Sequence, residues 1–392
     1  MIPTPLLMAL ALLTATAPFA TDMHLPVLPA IAAEFGVTTS IAQLTLSGFF
    51  AGMGLGQLII GPISDVVGRR KLLLAGAVLA ALAAVIAALA PGVWVLIIAR
   101  VIQGFGGGAC VVLARAIIPD LVRGDSAAKA FSLLMAINGL APAVAPVIGG
   151  LLAEPVGWRG IHWALAGLHV IQLLIAWAVV PETGSVKEVA SVRAFAGAVA
   201  GNYVAVLKSP LIWGYLLAMA MSFGTMFCYV ASSPFIIQEQ MGFSASGYSL
   251  IFALISLGIF SSSLLNARLV GRLGSKTMLR IAVGSSFVSS WLLFAIVMLD
   301  LPDALKLVGM FLVAAPTAVI MANSTALATS LMRERSGSVS AEMGFAQALM
   351  GAVMSPLVGL AANPAVGMVT GMVVCSAVAL AGMLYSTARH PA

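Results

Sequence analysis

Apolar runs long enough to cross a lipid bilayer recur along the entire sequence, and no other property limits the possible folds as severely. A hydrocarbon layer about 30 Å thick is crossed by about 20 residues of α-helix. Breaking the chain at its charges and its Pro or Gly turns leaves stretches near residues 5–33, 40–63, 71–90, 92–115, 127–152, 161–180, 210–231, 246–267, 278–299, 305–329, 337–361 and 366–387. Twelve spans are therefore expected. Inside lipid the backbone must satisfy its own hydrogen bonds, which leaves helices or a closed barrel, and the two-residue alternation of a membrane barrel is absent. The expected class is an all-α polytopic membrane protein. Composition agrees, since 61% of the 392 residues are hydrophobic, only 8% are charged, and the mean hydropathy is +1.11; water-soluble globular domains do not combine these values.

The net charge of +6 raises the possibility of a nucleic-acid partner, and the location of the basic residues decides against it. With a cytoplasmic N-terminus, sixteen Lys and Arg residues fall in inner loops and the tail, against Arg159 and Lys306 outside. That asymmetry predicts a membrane chain with both termini cytoplasmic. Arg100 is left within a span. Cys110, Cys228 and Cys375 all lie in apolar runs, where packing rather than a disulfide framework is expected. The first twenty residues lack the basic start of a secretory leader and read as the first span.

The longest polar interruption, Glu182 to Ser209, divides the chain into near-equal halves. The expected organisation is a six-helix bundle over 1–181, a cytoplasmic linker over 182–209 and a second six-helix bundle over 210–392. A weak internal echo supports it: Gly68-Arg69-Arg70 is matched by Gly274-Ser275-Lys276, each after an even-numbered span. The sequence shows no phosphate-binding loop, metal-ligand cluster or nucleophile motif. No cofactor or metal is expected, and any work must come from an ion gradient or from nothing.

Between the second and third spans the sequence reads Gly61-Pro-Ile-Ser-Asp65-Val-Val-Gly68-Arg69-Arg70-Lys71. This loop resembles the signature of the major facilitator superfamily, and the two-half plan agrees. Arg100-Val-Ile-Gln103-Gly104-Phe-Gly106 is similar to the fourth-span motif of proton-coupled members. Gly139-Leu-Ala-Pro142-Ala-Val-Ala-Pro146-Val-Ile-Gly149-Gly150 is similar to the fifth-span motif of exporters. Thr21-Asp22-Met23-His24-Leu25-Pro26-Val27-Leu28-Pro29 resembles the first span of the bicyclomycin-resistance (Bcr/CflA) drug/proton antiporters. The resemblance implies a secondary multidrug exporter that exchanges small, apolar or cationic drugs for protons by alternating access. A proton-coupled exporter or importer of a small metabolite is the nearest alternative, and a membrane enzyme or sensor a remote one. Implied partners are a drug, the proton and membrane lipid, with no nucleic acid and a monomeric state. Val66 departs from the Arg common after the loop acid, and Ala145 from the Gly common before Pro146.

Among individual residues, Asp22 and Arg100 are the most informative, because an ionised side chain at a helix centre costs about 2.5–3.5 kcal/mol on insertion scales. A carboxyl can gain and lose a proton, whereas a guanidinium stays charged. Asp22 is thus the expected site for a proton or a cationic drug group, with Arg100 as its coupling partner. His24 could shuttle protons, but two helical steps of about 100° each turn it away from Asp22, and it reads as a residue at headgroup level. Met219, Phe223, Met226 and Phe227 form a stripe on the seventh span that suits helix packing or a soft wall for dissimilar apolar ligands. Gln43, Ser47, Met135 and Asn138 are candidates for orienting hydrogen bonds. Asp65, with Arg69 or Arg115, is expected to latch the inner gate, and Pro142, Pro146, Gly149 and Gly150 to give a bent, small-faced fifth helix suited to rocking or close packing.

Overall fold

A computed structural model describes residues 2–122, 125–183, 192–332 and 335–389. Every regular element among them is helical, as the apolar pattern requires. The first span is broken into α1 (Thr4–Thr14), α2 (Thr16–Asp22), a 3-10 turn (Leu25–Val27) and α3 (Leu28–Phe35). Proline explains the breaks. Pro18, Pro26 and Pro29 lack the N–H groups that would bond the carbonyls four residues back, at Thr14, Asp22 and Leu25. The helix therefore yields at or just after each of those residues.

The remaining elements are α4 (Thr39–Val67), α5 (Arg69–Ala88), α6 (Val93–Leu121), α7 (Asp125–Val179), α8 (Val192–Leu207), α9 (Pro210–Phe235), α10 (Ala245–Leu273), α11 (Ser275–Met298), α12 (Asp303–Ala314), α13 (Thr317–Leu331), α14 (Ser336–Val358) and α15 (Pro364–Arg389). Among the described residues, ten helices are long and apolar enough to cross a membrane. One of them lies in α7, which is interrupted at Gly157 (φ 63, ψ −171) just after Pro155 and so carries the expected fifth and sixth spans together. The expected eleventh span falls on α14. Within the expected linker, residues 184–191 lie outside the described residues. The part from Val192 to Leu207, expected as linker, is helical and largely apolar.

Glycine sets the distance between α4 and α6. A Cβ on Gly52 or Gly56 would overlap the carbonyl oxygens of Val101 and Phe105 on α6; one on Gly104 or Gly108 would overlap those of Phe49 and Met53 on α4. The two backbones interlock through reciprocal notches, the membrane solution for helices that gain nothing from excluding water. Gly68 (φ 100) and Gly274 (φ 77) both adopt a backbone that other residues avoid, and each starts the helix after a long span. The sequence echo between the halves thus has a conformational counterpart.

The chain divides into two compact units, residues 1–195 with 243–253, and residues 196–242 with 254–392. The first unit is built on two apolar clusters, one around Leu10, Leu73, Leu113 and Ile117, the other around Ile31, Leu96, Ile161 and Leu165. The second unit has one cluster around Tyr215, Met219, Leu279, Ile320 and Met343. The opening turns of α10 go with the first unit, where a Cβ on Gly150 would overlap the Ser249 hydroxyl.

Candidate functional site

Asp22 closes α2 at the break that Pro26 imposes, so its carboxyl sits at the negative end of a short helix. It is 8% exposed. Thr21 Oγ1 lies 3.0 Å from Asp22 Oδ1 and 2.9 Å from the Ala17 carbonyl oxygen. A hydroxyl has one proton, so Asp22 shares even this donor with the backbone. Among the described residues no ion pair reaches it. The carboxyl is therefore buried, thinly solvated and available to a proton or a cation.

Arg100, fully buried in α6, does not neutralise Asp22. Its Nε donates to the Thr45 carbonyl (3.2 Å), its Nη1 donates to Gln103 Oε1 (2.7 Å), and its guanidinium carbon lies 4.6 Å from the Phe49 ring centroid. Nη2 has no protein partner. The bonds beyond it have one consistent direction. Gln103 accepts from Arg100 with its oxygen, so its amide nitrogen donates to His169 Nε2 (3.0 Å). His169 accepts there and donates from Nδ1 to Gln172 Oε1 (2.9 Å), and Gln172 Nε2 donates to the Leu12 carbonyl (2.8 Å). Each group uses both its faces. The chain from Arg100 to Leu12 ties α6, α7 and α1 together through buried side chains.

A second polar strand begins at Thr45. Its hydroxyl donates to the Ala42 carbonyl (2.7 Å) and so accepts from His24 Nε2 (2.9 Å). His24 is fully buried rather than at headgroup level, because the first span is broken and turned inward at this point. Its ring lies 5.2 Å from that of His162, also fully buried. His24 Nδ1 and both ring nitrogens of His162 lack protein partners. Three histidines separated by up to 145 positions in sequence are thus gathered in one unit with Arg100. Of the three, only His24 was singled out from the sequence. The three-residue spacing of Arg100 with Gln103, and of His169 with Gln172, was the available signal, since such pairs share one helical face.

The other expected residues are distributed as follows. In the first unit Gln43 is fully buried, and Ser47 donates to the Gln43 carbonyl (3.4 Å). Asn138 donates to Thr14 Oγ1 (2.6 Å) and to the Leu134 carbonyl (2.9 Å), which places it as a tie between α7 and α1. The Met135 side chain lies outside the described residues. In the second unit Met219 belongs to the apolar core, and Thr325 Oγ1 lies 3.6 Å from its sulfur. Phe223 and Phe227 stack with ring centroids 4.7 Å apart, and Met226 is half-buried beside them.

At the turn between α4 and α5, Asp65 pairs with Arg69 at 2.6 Å, and Arg69 also pairs with Asp120 at 3.1 Å and bonds Ser64. Arg115 joins no ion pair there. Of the two arginines expected for Asp65, Arg69 is the partner, and two further acids join it. Asp120 accepts from Arg69, and Glu182 accepts from the backbone N–H groups of Arg69 (2.7 Å) and Arg70 (3.2 Å), capping the positive end of α5. In α7 a Cβ on Gly149 would overlap the Met23 backbone, and Pro142 and Pro146 lie inside the helix without ending it. Among the described residues no group of three or more His, Cys, Asp or Glu is placed to hold a metal ion.

Comparison with known proteins agrees with this architecture. The chain is 34% identical over 361 residues to an uncharacterized transporter of Bacillus subtilis, YdgK, covering 92% of this chain and 89% of that one. It is 29% identical over 385 residues to a bicyclomycin resistance protein homolog of Haemophilus influenzae, covering 98% and 96%. It is 29% identical over 344 residues to the multidrug resistance protein MdtL of Shewanella oneidensis, covering 88% and 85%. In fold it matches the partially occluded, inward-open xylose transporter XylE of E. coli, with a TM-score of 0.79, 15% identity and coverage of 99% and 97%. The model of the Major Facilitator Superfamily matches residues 10–356. With that match added to its helical plan, the chain is an integral membrane transporter, not an enzyme, and belongs to the Major Facilitator Superfamily.

Proposed function

We propose that this transporter is a secondary exporter that expels small, apolar or cationic drugs in exchange for protons, acting as a monomer in the bacterial cytoplasmic membrane. The observation that carries the proposal is Asp22: a carboxyl buried at a helix break, with no ion-pair partner and one shared hydroxyl donor. Ionisable groups at such depth are rare and mark ion or substrate pathways. Relatives named for bicyclomycin resistance and multidrug resistance align with 98% and 88% of the chain, which supports drugs as the substrate class.

The cycle follows from one carboxyl serving two ligands. Open to the more alkaline cytoplasm, Asp22 loses its proton, and the anion attracts a cationic or polar drug group. Open to the outside, it meets a higher proton activity, takes a proton and releases the drug. Each pH unit supplies about 1.36 kcal/mol, and each net charge moved adds about 2.3 kcal/mol per 100 mV. Arg100 remains a fixed positive charge in the same unit. The aromatic pair Phe223 and Phe227 offers apolar contact in the other unit.

Asp22→Asn imitates the protonated state permanently. The expected result is a folded protein that has lost substrate-induced proton release in detergent and uphill efflux from everted vesicles. Binding of cationic drugs should fall more than binding of neutral ones. An asparagine variant that still releases protons on adding drug and still pumps against a gradient would remove Asp22 from the coupling step and end the proposal.

A further inference from the structure

Most acids among the described residues have partners. Glu34 accepts from Trp158 and Arg159, Asp65 and Asp120 meet Arg69, Glu182 caps α5, and Asp300 and Asp303 meet Lys306. Glu342 is the exception inside a span. It is 9% exposed, and neither carboxyl oxygen has a hydrogen-bond partner. It is the seventh residue of α14, about 9 Å along the helix from Ser336 and beyond the reach of first-turn backbone donors. Its helical neighbours Val339, Met343 and Ala346 all belong to, or pack on, the apolar core of the second unit.

The groups that could neutralise it are engaged elsewhere or make no bond to it. α14 packs against α9, α13 and α15. On α9 Tyr215 shares the apolar core, while Cys228 and Tyr229 lie farther along that helix. α13 carries no titratable side chain. On α15 Arg389 stacks over the Tyr385 ring at 4.3 Å, and Cys375 lies toward the other end, near the level of Met354. Arg280 of α11 reaches the Thr387 hydroxyl and carbonyl at 3.3 and 3.4 Å. Arg335, at the N-cap of α14, is exposed and forms no ion pair with Glu342.

A buried carboxylate with no counter-charge costs several kcal/mol, and the same group carrying a proton loses most of that penalty. A site of this kind is stable when loaded with a cation and unstable when empty. We propose that Glu342 is a second proton-binding carboxyl of the transporter, separate from Asp22 and placed in the other unit. The proposal rests on the reading of the chain as proton-coupled, but its chemistry is confined to the second unit: carboxylate and proton combine to the neutral acid, and the acid gives the proton back.

Infrared difference spectroscopy on the purified protein in lipid tests this without a substrate. The pH is stepped from about 6 to about 9, above the range in which ordinary carboxyls titrate. The wild type should show two carboxylic C=O bands that disappear as the pH rises. Glu342→Gln should remove one of them, about half of the signal, and Asp22→Asn the other. Glu342→Asp keeps the acid and should shift the same band, which secures the assignment if the glutamine variant is recovered in poor yield. A glutamine variant that retains every wild-type carboxyl band, or an aspartate variant that shifts none, overturns the proposal. Loss of a band in Glu342→Gln with no change in Asp22→Asn leaves Glu342 as a proton site and refutes the Asp22 cycle instead.

Discussion

Arg100 shows how far a single residue can be read before its surroundings are known. Its charge in an apolar span marked it as functional, and the loop and span motifs pointed to proton coupling. Beyond its pairing with Gln103 its bonding was not legible, because Thr45 reaches Arg100, and His169 and Gln172 reach Gln103, only through the packing of three helices. Asp22, the assumed counter-charge, is not bonded to it. The consequence is a sharper test than charge balance gives. Arg100→Ala would strand Gln103 Oε1 in the interior, at about 1–3 kcal/mol for an unpaired buried group, and would remove the second bond to the Thr45 carbonyl, which stays within the ladder of α4. It should both abolish proton-driven efflux and lower the melting temperature in detergent. Arg100→Lys restores a charge but not the fork that serves Thr45 and Gln103 together, so it should recover part of the stability and little of the transport. Efflux near the wild-type level in the alanine variant, at matched expression, would remove Arg100 from the coupling machinery. Full efflux in the lysine variant would show that the charge suffices without the fork.

At the scale of elements, the positions of the helices were largely legible and their interruptions partly so. Apolar length and proline spacing located the spans, and the breaks in the first one follow from the missing N–H groups of Pro18, Pro26 and Pro29. The break expected between the fifth span, ending near 152, and the sixth, starting near 161, falls at Gly157, two residues after Pro155. The glycines of α4 and α6 were recognised as small residues, but their reciprocal fit depends on a crossing that sequence does not display. That fit predicts a steep response. Gly52→Ala places a methyl group against the Val101 carbonyl and the Phe105 amide, both backbone, so the helices must separate. Overpacking of this kind costs about 1–3 kcal/mol. Gly167→Ala, on a face of α7 where an added Cβ meets nothing within 4 Å, should be neutral or slightly stabilising. The check is the thermal stability of both variants in one detergent. Equal stability would mean that α4 and α6 are not locked by the notch at Gly52.

For the whole molecule, the remaining question is which face of the membrane each loop occupies, and the charges of the structure extend the sequence argument. Lys and Arg resist translocation, so a loop that crosses should carry few of them. Both basic residues assigned to the outside are neutralised by acids at the same end of the protein. Arg159 pairs with Glu34, while Lys306 lies 3.0 and 3.1 Å from Asp300 and Asp303. In the loops assigned to the inside, Arg70 donates to the Trp177 carbonyl, and Lys71, Arg268 and Arg272 take part in none of the ion pairs among the described residues. The uncompensated basic residues thus fall in the loops that the sequence assigns to the inner face. We expect that face, with α8 and both termini, to be cytoplasmic. In a variant free of Cys110, Cys228 and Cys375, a cysteine placed at Asn202 on α8 should be shielded from an impermeant thiol reagent in intact cells and react once the membrane is opened. A cysteine at Asp303 should react from outside in intact cells. The reverse pattern would invert the topology, placing the Asp65–Arg69–Asp120 cluster at the outer face and reversing the proton gradient that Asp22 meets in each open state. Export driven by proton entry would then be untenable even if Asp22 and Glu342 both titrate as proposed.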